Sequence, residues 1–523
     1  MSPVFENIRV ARSATGIGLA TLGSRILGFL RDVLIANYFG TGIFAQTFFA
    51  AFRIPNLMRR LFGEGALSAS FIPVFTGEIS KKGKDEAWDL AISVFNILAI
   101  VLSGIVLFGM IFSPLITRII VPGFAASPEK LELTSRLLRI MFPYLFFIAL
   151  AALMMGILNS LRHFAAPALA PIILNVSMIT FLIFFVRRVD EPVIGLAIAV
   201  IIGGVGQLGI QVIAAMKKGM PLGRKFVLYH PLVKRIALLM IPATFGVAIY
   251  QINIFVDGIC ASYESIVGDG AIAALWYANR LVQFPLAIFG LAVATAIFPQ
   301  MALSSSKNDL RALGENVSFG LRTVFFLTIP SAVGLIILRK PIISLLFERN
   351  AFNQYSTQIT SMALLYYCIG LFAYAGVHIL SRSFYSLQDM KTPVKLASFA
   401  MVTNIVLNLS LMWPLKVGGL ALATSISSIL NLCLLSHFLR KRIGSFGGRE
   451  IMLSCLRILI ASAIMGSLIL VIMRILPLAD SSLEKLAHLF ILILVGAGSF
   501  IIISMLFKFD ELKILKNALQ RRK

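Results

Sequence analysis

The sequence predicts an all-α polytopic membrane protein with about fourteen transmembrane helices, arranged as two six-helix lobes followed by two further helices. Three observations predict this fold: the composition, the spacing of long apolar runs, and an internal repeat. Hydrophobic residues make up 59% of the 523 residues and charged residues only 13%, against about 45–50% and about 25% in soluble domains. A water-soluble core does not account for that balance, so the chain is an integral membrane protein.

Long apolar runs set the number of helices. A helix needs roughly 20 apolar residues to cross a bilayer. About fourteen segments meet that requirement, with approximate limits 11–37, 43–75, 88–117, 132–160, 164–187, 192–216, 232–262, 270–302, 312–338, 356–387, 392–413, 417–439, 452–476 and 486–508. The first run is longer than a signal-peptide core, which predicts a retained first helix.

The excess of positive charge predicts the orientation. The chain carries 47 Lys and Arg against 23 Asp and Glu, and in a membrane protein such an excess collects on the cytoplasmic side. Cytoplasmic N- and C-termini put the basic clusters on the inner side, namely Lys81, Lys82, Lys84, Lys217, Lys218, Arg224, Lys225, Lys234, Arg235, Arg440, Lys441, Arg442, Arg521, Arg522 and Lys523. The opposite side then receives SYESIVGDG and PLADSS. We therefore expect both termini in the cytoplasm and no nucleic-acid partner.

Internal similarity predicts a duplication. Between AFRIPNLMRRLFGEGALSASFIP and ANRLVQFPLAIFGLAVATAIFP, Arg53 aligns with Arg280 at a separation of 227 residues. Between NSLRHFAAPALAP and YSLQDMKTPVKLA, Ser160 aligns with Ser386 at a separation of 226 residues. A repeat of about six helices gives both copies the same orientation. The predicted domains are an N-lobe over 1–218, a C-lobe over 219–442, and helices 13 and 14 with a basic tail over 443–523.

Two parallel lobes are typical of a transporter that works by alternating access. The phosphate-binding pattern G-x-x-x-x-G-K-[ST] is absent from the sequence, so ATP hydrolysis is not supported and we expect no enzyme. Gly204, Gly206 and Gly209 do spell G-x-G-x-x-G, but within an apolar run. That setting favours close packing of helices over dinucleotide binding.

Arginines inside the apolar runs mark the candidate site. An arginine near the bilayer centre costs about 2.5–3.5 kcal/mol, so each must face a cavity, a partner or the interface. Arg25, Arg31 and Arg59 in the first lobe and Arg280 in the second predict a cationic cavity between the lobes. Because guanidinium groups suit phosphate and carboxylate, the predicted cargo is anionic.

Other polar groups support these arginines. A bend at Gly28 would let Arg25 and Arg31 face one space, and Asp32 is a candidate partner for one of them. A structural role is the stronger interpretation for Arg53 and for Arg60, which can pair with Glu64 four residues later. Arg280 follows Asn279 and precedes Pro285, where a kink is expected.

The segments SRILGFLRD, AFRIPNLMRRLFGEGALSASFIPVF, WYANRLVQFP and FYSLQDMKTPVK closely resemble the MurJ (MviN) family of lipid II flippases. That family belongs to the multidrug/oligosaccharidyl-lipid/polysaccharide exporter superfamily, and the resemblance extends over essentially the whole chain. It implies a bacterial inner-membrane protein of peptidoglycan biosynthesis that moves lipid II, an undecaprenyl-pyrophosphate-linked disaccharide-peptide, from the inner to the outer leaflet.

The resemblance also implies a binding site and partners. Family arginines that bind the headgroup fall on Arg25, Arg31, Arg59 and Arg280. Helices 13 and 14 would form a groove for the undecaprenyl tail, beside membrane lipids. Peptidoglycan-synthesis proteins are possible partners, and such a protein sustains cell wall biogenesis and cell shape.

The chain departs from the family pattern at several polar positions. Gln46 and Asn279 stand where relatives often have acids, which makes the predicted cavity more positive. A sodium site of some relatives would map onto Asp257, Asn404, Asn408 and Thr424, with Asn408 where an acid is expected. Polar pairing between helices explains the same residues equally well. No other cofactor is expected.

Three alternatives stay open. A multidrug or cation antiporter of the same superfamily would need acids in its cavity, and an oligosaccharide-lipid flippase of that superfamily usually lacks the last two helices. A structural or signalling membrane protein would leave the arginines unexplained.

Overall fold

The computed structural model describes residues 3–61, 67–221, 227–477 and 481–512, with side chains described outside 3–17, 61, 68–69 and 242–250. Helices are the only regular secondary structure in these residues. By contacts they divide into two compact units, residues Met1–Tyr263 and Glu264–Lys523.

The membrane-spanning character of the helices agrees with the sequence. Ten described helices are long and apolar enough to cross a bilayer, or eleven when the pair Gln354–Ile369 and Leu371–Ser386, bent by 43°, counts as one span. Of the remaining predicted spans, 11–37 and 232–262 fall on helices Pro3–Phe39 and Pro231–Ala261. The predicted span 43–75 falls on two helices, Ile43–Leu61 and Leu67–Lys82, with residues 62–66 between them outside the described residues. These three spans either carry several charges or run into residues whose side chains are not described.

The first unit contains nine α-helices in the described residues: α1 (Pro3–Phe39), α2 (Ile43–Leu61), α3 (Leu67–Lys82), α4 (Lys84–Ile111), α5 (Ser113–Ile120), α6 (Pro128–Ser160), α7 (Ala165–Thr180), α8 (Pro192–Lys217) and α9 (Pro231–Ala261). A 3₁₀ turn over Pro122–Ala126 precedes α6, and a π-helical turn over Phe181–Phe185 extends α7. Helix α6 is the centre of the unit, because it packs against α2, α4 and α8 and buries apolar residues on most sides.

The second unit contains ten α-helices in its described residues: α10 (Glu264–Val267), α11 (Ala271–Pro285), α12 (Ala292–Ser306), α13 (Leu310–Phe347), α14 (Gln354–Ile369), α15 (Leu371–Ser386), α16 (Lys391–Leu415), α17 (Val417–Ile443), α18 (Gly448–Ile475) and α19 (Ser482–Leu506). The bend expected at Pro285 coincides with a π-helical turn over Leu286–Leu291 between α11 and α12. Helices α18 and α19 contribute to the core around α13, so they are an integral layer of this unit.

The packing boundary lies beyond the lobe boundary that the repeat predicts at residue 218. Helix α9 packs against α2 and α3, and Ile236 joins the apolar core formed by α3, α4 and α6. Packing therefore places this helix with the first unit, although it opens the second copy by sequence. The boundaries 1–218, 219–442 and 443–523 stay a prediction about the repeat.

The repeat is visible in the backbone as a constant offset between helix ends. Helices α4 and α13 begin at Lys84 and Leu310, and α6 and α14 begin at Pro128 and Gln354. Each pair is separated by 226 residues. The same offset joins the ends of α6 and α15, and the starts of α7 and α16.

The turns after α6 and α15 repeat the same hydrogen bonds. Arg162 and Gln388 both have left-handed backbone, with φ of 57° and 59°. The amide of His163 donates to the Leu158 carbonyl at 2.8 Å, and the amide of Asp389 donates to the Phe384 carbonyl at 2.9 Å. Both turns thus close their helix with the same C-terminal motif, which supports the duplication independently of side-chain identity.

The glycines of the G-x-G-x-x-G pattern are helix-packing residues. A Cβ on Gly204 would lie 2.6 Å from the ring of Tyr144 on α6, and one on Gly206 would lie 2.7 Å from Ile173 on α7. Gly209 has no atom within 4 Å of that position. Two of the three glycines therefore let α8 approach its neighbours, as the apolar setting predicts.

Candidate functional site

Arg31 is held in a buried network of the first unit. Its Nη2 lies 2.7 Å and its Nε 3.0 Å from Oδ1 of Asp32, and its Nη1 donates to Oδ1 of Asn175 on α7 at 2.9 Å. The Asn175 amide in turn donates to the Ser24 carbonyl at 3.1 Å. Of the two pairings that the sequence left open for Asp32, the structure shows the one with Arg31. Charge compensation explains how a buried arginine is tolerated at membrane depth.

A second buried polar pair lies in the first unit. The Tyr144 hydroxyl donates to Oε1 of Gln207 on α8 at 3.2 Å. Arg59 is half-buried, and its Nε donates to Oδ1 of Asn56 at 3.2 Å. The first unit therefore holds polar pairs on α2, α6 and α8 in addition to the network around Arg31.

Arg25 differs from Arg31. It is exposed, whereas Arg31 is only 6% exposed, and α1 continues as a helix through Gly28. Exposed apolar residues flank Arg25, among them Leu22 and Ile26. The prediction that Arg25 shares one cavity with Arg31, Arg59 and Arg280 stays a prediction. Arg60 is half-buried, and its expected partner Glu64 lies outside the described residues.

Arg53 packs between α2 and α9. A Cβ built on Gly258 would lie 0.9 Å from Nη1 of Arg53, so the guanidinium occupies the space that this glycine leaves open. Asp257, the neighbouring residue, is half-buried. Helix-to-helix packing is consistent with the structural role expected for Arg53.

In the second unit, Arg280 lies on α11 and is half-buried. The adjacent Asn279 accepts a hydrogen bond at Oδ1 from Nε2 of Gln283 at 2.6 Å. The amide oxygen of Asn279, where the resemblance implies an acid, is thus engaged within its own helix. Arg280 precedes the π-helical turn, a type of irregularity that is frequent at functional sites.

Three residues of the predicted cation site lie together in the second unit. Asn408 donates to Oδ1 of Asn404 on α16 at 2.9 Å, and Asn404 donates to Oγ1 of Thr424 on α17 at 3.4 Å. Asp257 is on α9, in the first unit. Neutral amide and hydroxyl oxygens are suitable ligands for a hard cation, but these three supply no charge and already bind one another. In the structure, Asn404, Asn408 and Thr424 are joined by hydrogen bonds to one another.

One cluster of possible metal ligands joins α3, α4 and the start of α9. Side-chain ligand atoms of Glu78, Glu86 and His230 lie within 4.8 Å of one another. Lys82 lies 2.9 Å from Glu78, whose hydrogen bond and charge raise the pKa of Lys82. The Nδ1 of His230 accepts from the amide of Leu232 at 3.2 Å, which leaves Nε2 to carry the proton of the neutral ring. The cluster is therefore suited to an ion-pair network rather than to a metal.

Sequence reasoning missed Asn175 and the Tyr144–Gln207 pair. The available signal was one amide side chain in the run 164–187 and two, Gln207 and Gln211, in the run 192–216, since an amide at membrane depth needs a partner. The partner itself was not predictable, because Arg31 and Asn175 are 144 residues apart.

The fold and the arginines within its spans define a multi-helix membrane transporter. The chain matches the family model for "Lipid II flippase MurJ" over residues 35–487. A curated relative from Rhizobium tropici, "Probable lipid II flippase MurJ", is 37% identical over 97% of this chain and 96% of its own length. One from Vibrio cholerae with the same description is 39% identical over 83% of this chain and 84% of its own.

Solved structures agree with that assignment. The structure "Lipid II flippase MurJ, inward closed conformation" has a TM-score of 0.80 and 30% identity, covering 94% of this chain and 98% of that one. An inward-facing multidrug resistance transporter of the MATE family and MOP superfamily has a TM-score of 0.68 at 16% identity, covering 81% of this chain and 95% of its own; this likeness concerns the fold alone. The chain belongs to the MurJ family of lipid II flippases.

Proposed function

We propose that this protein moves lipid II across the bacterial cytoplasmic membrane, from the inner to the outer leaflet, by alternating access. The observation that carries the proposal is its membership of the MurJ family over almost the full chain. On this proposal the protein acts in peptidoglycan biosynthesis and lies in the inner membrane as a multi-pass protein with both termini cytoplasmic. It would also contact peptidoglycan-synthesis proteins.

The physical problem is to carry a charged, sugar-bearing headgroup through hydrocarbon while its acyl chain stays in lipid. Arginines at membrane depth on α1, α2 and α11 offer guanidinium groups that bind diphosphate with two parallel hydrogen bonds. We assign Arg25, Arg31, Arg59 and Arg280 to this task. Because Asp32 neutralises the charge of Arg31 and Asn175 also engages its guanidinium, the main contribution of Arg31 is to hold the polar groups of α1 and α7 in place.

The membrane potential is a sufficient source of energy in this proposal. Each negative charge that moves outward from a negative cytoplasm gains about 2.3 kcal/mol per 100 mV, and a diphosphate carries more than one. A monovalent cation such as sodium, held by oxygens of Asp257, Asn404, Asn408 and Thr424, is the second element of the proposal and would help the empty protein to return. Helices α18 and α19 would provide the groove for the undecaprenyl tail.

Substitution of Arg280 tests the headgroup assignment. A charge-assisted hydrogen bond is worth about 1.5–3 kcal/mol, and lysine keeps the charge but not the fork. In proteoliposomes at a defined potential, we expect Arg280→Ala to abolish lipid II transport and Arg280→Lys to retain at most partial activity. Membrane insertion of both variants is the control. Transport by Arg280→Ala at the wild-type rate would remove Arg280 from the mechanism.

A further inference from the structure

Helix α15 presents a polar face that runs from Tyr374 to Tyr385, one residue before the end of the helix. Tyr374, His378, Ser381, Arg382 and Tyr385 are all exposed or half-buried. At 100° per residue they fall within a sector of about 100° on the helix surface. Three of these five positions carry side chains that are charged or aromatic with a hydroxyl group, which is unusual for the outer surface of a membrane helix.

The opposite face of α15 does the packing. Ile379, Leu380 and Phe384 are at most 1% exposed and belong to the core around α13. A Cβ on Gly376 would lie 2.7 Å from Leu432 on α17 and 3.1 Å from Phe325 on α13. Apart from Tyr374, whose hydroxyl hydrogen-bonds to Ser425 on α17 at 3.0 Å, the polar sector is therefore the face that the second unit leaves uncovered.

The next helix shows what a lipid-facing surface looks like in this unit. The exposed residues of α16 include Phe399, Val402, Val406, Leu409 and Trp413, at spacings of three and four. This apolar stripe is suited to hydrocarbon. An exposed polar stripe on the neighbouring span is not, so the face of α15 lines a space that water can reach.

Arg382 is the residue of this face that carries a permanent positive charge. Within the described residues it makes no hydrogen bond or ion pair, and it lies one helical turn before the end of α15 at Ser386. Its charge acts on His378, one turn deeper in the span. A guanidinium costs about 2.5–3.5 kcal/mol at the bilayer centre and less toward a helix end, unless an anion or the interface compensates it. Arg31 has that compensation from Asp32, whereas the structure leaves it to a ligand at Arg382.

We propose that Arg382 and His378 bind an anionic oxygen group of the transported headgroup, a contact of the second unit additional to Arg280. The ligand class is a diphosphate or a carboxylate, since both match a guanidinium fork with an imidazole donor beside it. This proposal rests on the proposed function, because the headgroup of lipid II carries both groups. Arg382 is in this view a binding residue, and the hydroxyls of Ser381 and Tyr385 are suited to sugar.

A rival explanation is that Arg382 only extends its side chain to phospholipid headgroups at the interface, as arginines near helix ends do. That role would affect stability in the membrane but not affinity for the cargo. Binding and stability must therefore be measured on the same variants.

The experiment measures the Kd of the purified full-length protein for lipid II and, separately, for undecaprenyl diphosphate, which lacks sugar and peptide. We expect Arg382→Ala to weaken binding roughly ten- to a hundredfold, as for loss of a charge-assisted hydrogen bond, with Arg382→Lys intermediate and His378→Gln weakened less. Arg311→Ala is the matched control, because Arg311 is an exposed arginine of the same unit that pairs with Glu315 on its own helix.

The outcomes separate the possibilities. Equal weakening for both lipids assigns the site to diphosphate, and weakening for lipid II alone assigns it to a carboxylate of the peptide. Wild-type affinity of Arg382→Ala for both lipids, with or without a lower thermal stability, overturns the proposal. If wild-type protein fails to transport lipid II, the proposed function is wrong, while the undecaprenyl diphosphate measurement still tests Arg382.

Discussion

At the residue scale, Arg31 shows that an arginine at membrane depth can stabilise the folded protein in addition to any role in binding the transported lipid. Asp32 is fully buried, and its carboxylate receives two of the donor nitrogens of Arg31. Removing one partner of a buried ion pair leaves an uncompensated charge, which costs more than the pair gains. Loss of transport in an Arg31 variant would thus report on folding unless stability is measured as well.

Asp32→Ala is expected to lower the free energy of unfolding by about 3–5 kcal/mol, and Asn175→Ala by about 1–3 kcal/mol because it removes only hydrogen bonds. Thermal unfolding in detergent measures both. Arg136→Ala is the control: Arg136 pairs with Glu191 at 2.8 Å, but both side chains are about half exposed, so its loss should change stability by at most about 1 kcal/mol. If Arg136→Ala lowered the free energy of unfolding as much as Asp32→Ala, burial would not explain the cost of losing the Arg31–Asp32 pair.

At the element scale, the glycines of α8 give a graded test of helix packing. Gly204→Ala places a Cβ against the Tyr144 ring, and we expect a loss of about 1–3 kcal/mol of stability from overpacking. Gly209→Ala, on the same helix and with open space at its Cβ position, should be neutral or should stabilise by about 0.4–1 kcal/mol. Thermal unfolding of both variants decides the matter. Equal effects at the two glycines would refute a packing role for Gly204.

The loop between α15 and α16 gives a test by pH. Asp389 is partly buried, which raises its pKa, but hydrogen bonds from Thr392 and Lys391 and the charge of Arg442 outweigh burial and hold the pKa below its usual 3.8. A lowered carboxyl pKa contributes stability above the unfolded-state pKa, and this contribution is lost as the pH falls through the folded-state pKa.

Asp389→Ala should therefore cost about 0.5–2 kcal/mol at pH 7 through loss of the cap on α16, and the difference from wild type should shrink as the pH falls below 3.8. Melting temperatures of wild type and variant across pH 7 to about pH 3 provide the measurement. Lys395→Ala, an exposed residue on α16, is the control. A pH-independent difference would show that the Asp389 charge plays no part.

The same elements show how far the sequence predicts this structure. Periodicity and Pro285 located the spans and the break before α12, because these depend on residues close in the chain. The 226-residue offset was detectable from two pairs of short segments, and the structure extends it to four pairs of helix termini. The helices that α9 and α18 pack against, and the partner Asn175 of Arg31, were not predictable, since contacts between residues more than a hundred positions apart leave no mark in local periodicity.

At the scale of the whole molecule, the arrangement in the membrane follows from charge. Lys307 follows α12, and Arg440 and Lys441 lie in the last turn of α17, whereas the turn before α8 carries Asp190 and Glu191 beside its basic residues. Because the number of spans between these positions is odd, we expect them on opposite sides of the bilayer. The positive-inside rule predicts that the ends of α12 and α17, and with them both termini, lie in the cytoplasm.

Single-cysteine labelling tests this topology. Of the natural cysteines, Cys260 and Cys368 are buried and Cys433 and Cys455 lie in apolar helices, so a cysteine-free background should keep the fold. Because Asp190, Ser306 and Ser445 are exposed, we expect a membrane-impermeant maleimide added to intact cells, with the periplasm accessible, to label Asp190→Cys but not Ser306→Cys or Ser445→Cys. All three should react after the membrane is permeabilised, which controls for reactivity. The reverse pattern in intact cells would contradict the cytoplasmic placement of both termini.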